Sequence, residues 1–172
     1  MATPTSLPAT FVAGNVLTAA QMNDLRGAFR IQQVASTIKT DSFSTTSGSF
    51  VDLTGVSVSI TPTSASNKVL VMVQGCASIS AGLMYLNLVR DSTDIAQSTG
   101  GAGQETLLFG SPGGTTAISG FGVNYLDSPA TTSATTYKLQ MRVSSGTGYI
   151  NRRELDDAYR AVTTITVMEV SA

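Results

Sequence analysis

Residues 137 to 144 alternate without a break: Tyr137, Leu139, Met141 and Val143 are apolar, and Lys138, Gln140, Arg142 and Ser144 stand between them. Successive side chains of an extended chain point to opposite faces, so this run is a strand with one face in a core and one toward water. A period of two recurs along most of the sequence, and it constrains the fold more than any other feature. Half-buried strands need a second layer to cover their apolar faces.

The other strands follow from the same period. "FVDLTGVSVSITP" puts Val51 and Leu53 on one face, then Val56, Val58 and Ile60 on one face in the opposite parity. One residue has been added, and a β-bulge at Gly55 restores the register. A turn over Pro62 to Asn67 leads into a strand from Lys68 to about Ile79, apolar on both faces near its middle. A strand from Leu83 to Arg90 ends in a tight connection at Asp91 to Asp94, where Asp serves local backbone hydrogen bonding. Gly-rich loops separate short apolar pieces at Thr106 to Phe109 and Ser119 to Leu126. "GTGYIN" begins another strand, and "AVTTITVMEVS" ends the chain as a last one. About eight or nine strands at this spacing predict an antiparallel β-sandwich of jelly-roll type. Tyr125, Tyr137 and Phe121 fall on core-facing positions, while Tyr85, Tyr149 and Tyr159 are freer. Cys76, alone in its class, sits in an apolar strand and reads as a small buried hydrophobe.

Before Ile31 the pattern differs. "MATPTSLPA" has two prolines and no period, which predicts an extended arm. In "LTAAQMNDL", Thr18 is placed as an N-cap with Gln21 completing a capping box, and Leu17 and Met22 occupy the positions of a hydrophobic staple. A helix is expected from about Ala19 to Arg30, with Met22, Leu25 and Phe29 along one stripe. So short a helix is marginal alone and must pack against something. The division expected is an attachment segment at 1–30, with Phe11, Leu17, Met22, Leu25 and Phe29 as its contact residues, and a sandwich body at 31–172.

Composition limits the chemistry. Only 12% of residues are charged and the formal net charge is -1, about half the charge of an ordinary soluble domain. No basic cluster precedes residue 152, so the electrostatic footprint of a nucleic-acid binder is missing. A surface so poor in charge is expected to be partly buried in an oligomer or larger assembly. No apolar run approaches the roughly 20 residues of a membrane span, and no targeting segment precedes the fold, so folding in a cytoplasm is expected. Histidine is absent, which removes the commonest general base and the usual zinc ligand sets. The glycine runs at 100–103 and 110–114 lack the Lys-Ser/Thr of a phosphate loop. Neither metal nor cofactor is expected.

The single concentration of charge is "NRRELDDAYR", with Arg152, Arg153, Glu154, Asp156, Asp157 and Arg160 between two strands. Three readings stand: a solvated, self-paired loop, a polar contact between subunits or with a partner, and a carboxylate pair for glycoside chemistry or Ca2+. Sugar recognition by exposed aromatic rings has little to work with, since aromatics make up 6% of the chain and Trp is absent.

Several phrases together, "LPATFVAGNVLTAAQMNDLR", "KTDSFSTTSGSFVDLTGVSVSITP", "KVLVMV", "LNLVR", "YLDSPATTSATTYKLQMR", "YINR" and "ITVMEV", cover nearly all of the chain. They resemble a group of tailed-bacteriophage virion proteins, described as structural or fibre proteins. The resemblance implies a homotrimeric particle component with a β-rich body and an N-terminal attachment segment, located on the virion and joined to head, neck or tail proteins. It brings no catalytic residues. A fibre or surface appendage is the leading expectation, and a capsid cement protein or a module binding host glycan are the alternatives.

Overall fold

The computed structural model describes residues 30–99, 107–110 and 117–172, together with Val16, Thr18, Ala19 and Met22. Eleven strands are described: β1 (Ile31–Lys39), β2 (Phe43–Thr45), β3 (Val51–Ile60), β4 (Lys68–Ile79), β5 (Met84–Arg90), β6 (Thr93–Ile95), β7 (Leu108–Gly110), β8 (Ser119–Asp127), β9 (Thr135–Val143), β10 (Gly148–Ile150) and β11 (Thr163–Val170). All pairings are antiparallel. One sheet runs β1-β11-β4-β8, and the other runs β3-β9-β5 with β6 and β7 beside β5. The chain changes sheet at most connections, passing from β1 to β3, β4, β5 and back through β7, β8, β9 and β11. This is the double Greek-key order of a jelly roll, as the spacing of the strands predicts.

The core lies between the sheets and is built from the alternating positions. Leu53, Val56, Val58 and Ile60 of β3 and Tyr137, Leu139 and Met141 of β9 face Val69, Val71 and Val73 of β4 and Ile165 and Val167 of β11. The expected change of parity in β3 is present: the register with β9 shifts between Asp52 and Ser57, and Gly55 has φ +84. A side chain there would be strained, and glycine takes that backbone freely. Two further expectations are met by Phe121 and Tyr125, which pack against the core from β8.

Two expectations are corrected. Tyr85 is buried, at 7% exposure. It points to the outer face of its sheet, but the Arg142 guanidinium lies 3.8 Å over its ring and covers it. Cys76 is half-exposed. On β4 the inward positions around it are Gly75 and Ala77, so parity turns the thiol outward. The count of strands also exceeds expectation, because two long strands are interrupted. β2 continues the line of β1 after residues 40–42, and β10 and β11 share one edge of β4 on either side of residues 151–162. Where the neighbour of β4 changes, Gly75 is required: a Cβ would run into the Thr163 hydroxyl and the Phe121 ring.

Candidate functional site

The charged phrase is a twelve-residue excursion, 151–162, leaving and rejoining one strand line. Asn151 holds its base. Its N–H donates to the Cys76 carbonyl at 2.9 Å and its carbonyl accepts from Ala161 at 3.0 Å. Its Nδ2 donates to the carbonyls of Lys39 (2.9 Å) and Asp41 (3.1 Å), and its Oδ1 accepts from the Thr163 hydroxyl at 2.7 Å. The residue is fully buried with φ +64, a left-handed conformation that Asn tolerates better than most side chains.

Above this base the charges are spent on each other. Arg153 forks onto Asp156 through two bonds of 2.8 and 2.6 Å and stacks on Tyr159, while Asp157 takes Arg152 at 3.2 Å and Arg160 at 3.0 Å. The Arg153 guanidinium and the Ala158 N–H hold the Asp156 carboxyl down at about 2. Arg152 lies over the Tyr149 ring and also caps the Arg153 and Glu154 carbonyls. Geometry therefore favours the self-paired reading of Arg152, Arg153, Asp156 and Asp157. Glu154 is separate, with one carboxylate oxygen buried and unbonded. Among the described residues, no group of three His, Cys, Asp or Glu side chains is placed to hold a metal ion.

A second region, which the sequence did not single out, is the outer face of the β1-β11-β4-β8 sheet. Register aligns its outward side chains in rows. Val34, Met168, Leu70 and Leu126 form one row across all four strands, followed by Ser36, Thr166, Met72 and Asn124, and then Ile38, Thr164, Gln74 and Gly122. Val34, Ile38 and Leu126 are exposed at 56, 58 and 54%. Lys68 is the one charged side chain among the outward positions paired across these strands, and it bonds Ser128. Beside the excursion the face sinks into a depression of about 500 Å³ lined by Gln74, Cys76, Gly120, Gly122, Val162 and Thr164. The opposite outer face differs in kind: it carries the Asp52–Lys138 ion pair at 2.7 Å and the Arg142 stack on Tyr85.

Of the attachment residues, Phe11, Leu17, Leu25 and Phe29 lie outside the described residues. Met22 is exposed, and its N–H donates to the Thr18 carbonyl at 3.0 Å, the bond of a first helical turn.

Three buried polar groups were missed in the sequence. Glu169, fully buried on the core side of β11, accepts from Gln33 Nε2 (2.6 Å), the Thr63 N–H (2.7 Å) and hydroxyl (2.8 Å), and Asn67 Nδ2 (2.6 Å). Burial pushes its carboxyl up, but these donors outweigh that and leave it below the ordinary value. Asp127 accepts from Arg90 at both oxygens and from the Tyr137 hydroxyl at 2.7 Å. Burial first, and then the Asp127 bond, push the Tyr137 hydroxyl far up. Asn87 is the exception, fully buried with both amide atoms unbonded. An unpaired buried amide carries a desolvation penalty with no return, so Asn87→Leu should raise stability by about 1 kcal/mol, read as a higher urea midpoint at unchanged slope.

No protein-family model and no curated protein matches this chain. Among solved structures, the crystal structure of the infectious bursal disease virus VP2 subviral particle is similar to it at 15% sequence identity and a TM-score of 0.34. The similarity covers 81% of this chain and 38% of that one, so the chain spans well under half the length of the structure it matches.

Proposed function

We propose that this protein is a non-enzymatic structural component of a tailed-phage virion, a homotrimeric fibre or surface appendage attached through residues 1–30. The observation that carries the reading is the outer face of the β1-β11-β4-β8 sheet: one apolar row, Val34 to Leu126, beside rows of mainly hydroxyl and amide side chains, with Lys68 as the one charge among these paired positions, a surface suited to burial in an assembly. The resemblance of the quoted phrases to phage virion proteins supports the same reading.

The attachment segment is testable by deletion. Among the described residues, every buried member of the apolar cluster lies between Leu53 and Val167. A chain lacking residues 1–30 is expected to keep the strand spectrum and cooperative unfolding of the full chain, yet to be missing from purified particles. Incorporation equal to that of the full chain would refute the attachment role.

A further inference from the structure

We infer that the outer face of the β1-β11-β4-β8 sheet is the contact between copies of this chain; the inference rests on the assembly reading above and names its surface. Around a closed symmetry axis, residues near the axis meet copies of themselves, so a charge placed there faces a like charge. The two outer faces of this sandwich divide accordingly. One carries Asp52, Lys138 and Arg142, and the other, among its described outward positions paired across the strands, carries Lys68 alone, at the end of β4.

Four strands about 4.8 Å apart and eight residues at about 3.3 Å each give the face about 500 Å² per copy. The central row from Val34 to Leu126 supplies the apolar middle. The depression beside it is floored by Gly120 and Gly122, where an added Cβ would meet nothing closer than 3.8 Å. That floor leaves room for a side chain from the facing copy. The face also adjoins the attachment segment. β1 begins at Ile31, and the Arg30 carbonyl accepts from Ser171 at 2.8 Å, so each chain's first thirty residues enter at its rim. Closing copies through this face brings their attachment segments together.

The test uses the full chain and its unique thiol. Cys76 lies on the proposed contact and is half-exposed in the single chain, so maleimide labelling should slow as protein concentration rises through the range where sedimentation shows assembly. This arm needs no substitution. In a second arm, Leu70→Lys and Met168→Lys place like charges in the central row. They should weaken self-association by about thirtyfold or more, as for loss of an interface hot spot, and restore fast Cys76 labelling with an unchanged circular dichroism spectrum. Ser59→Lys on the opposite face should assemble like the native chain. The inference is overturned by a chain that stays monomeric at high micromolar concentration, by Cys76 labelling that ignores assembly, or by row variants that assemble normally. Particle incorporation that ignores residues 1–30 would overturn the attachment reading alone, since neither arm passes through it.

Discussion

Replacing Glu169 by Ala should lower the stability of the body by about 3–5 kcal/mol, since the neutral donors that bond it would lose their acceptor at about 1 kcal/mol or more each. Four donors from Gln33, Thr63 and Asn67 converge on this carboxylate, and each would be left facing an empty space. They come from β1 and from the β3–β4 turn, so the same change loosens the end of the sandwich where the chain enters and leaves. Thermal unfolding followed by circular dichroism should show a fall of the midpoint by about 10 °C, at about 2–4 °C per kcal/mol for a chain of this size.

The pH dependence separates charge from shape. The Glu169 carboxyl titrates lower in the folded protein than in the unfolded chain, so between those two values the unfolded state binds the extra proton. Its contribution is fully present above the ordinary carboxylate range and is lost as pH falls through the folded value. Glu169→Gln, which keeps the shape without the charge, should be clearly less stable than the native chain at pH 7. That difference should shrink steadily as urea unfolding is repeated toward pH 3. A gap that stays constant across this range would show that the donors serve packing and not the charge. Asp41, Asp52 and Asp156 are also held low by Lys39, Lys138 and Arg153. The native chain and the variant therefore both lose stability in acid, and only the difference reports on Glu169.

Asn151→Ala is the second large effect, about 4–5 kcal/mol. The change strips partners from the Lys39 and Asp41 carbonyls and from the Thr163 hydroxyl, at about 1 kcal/mol or more for each buried group left unpaired. Alanine at φ +64 adds strain of about 1–2 kcal/mol. Asn151→Gly removes the strain and not the lost bonds, so it should recover about 1 kcal/mol of the deficit. Because Asn151 closes the base of the excursion, both variants should be cut faster by trypsin at Arg152, Arg153 and Arg160 under native conditions. Unchanged cleavage would show that the Arg–Asp pairs hold the loop without the clamp.

Much of the architecture was legible in the sequence because a period of two is a local property. β4 runs from Lys68 to Ile79 and β9 from Thr135 to Val143, close to where the alternation places them, and the parity change in β3 located the bulge at Gly55. Where both faces of a strand are apolar, alternation says nothing. "VLVMV" in β4 reads as buried on both sides, yet Val69, Val71 and Val73 are in the core while Leu70 and Met72 are half-exposed. Cys76 was misplaced for the same reason. Leu70, Met72 and Cys76, which lie on the outer face of this sheet, therefore read as core in the sequence.

The sequence by itself determined which segments are strands, where one residue is added, that the charges of 152–160 have mixed sign and close spacing, and that histidine chemistry is absent. These follow from neighbours a few positions apart. Only the tertiary structure decided what happens to groups whose partners are remote. Glu169 breaks the apolar face of β11 and would read as an error there, until Gln33, Thr63 and Asn67 arrive from more than a hundred residues away to hydrogen-bond it. Asn151 looks like the end of a strand until the carbonyls of Lys39 and Asp41 close on its amide. The register that sets Val34, Met168, Leu70 and Leu126 side by side depends on three strand pairings between distant parts of the chain. A surface made that way has no local signature, because proximity across a sheet is settled by pairing and not by spacing along the chain.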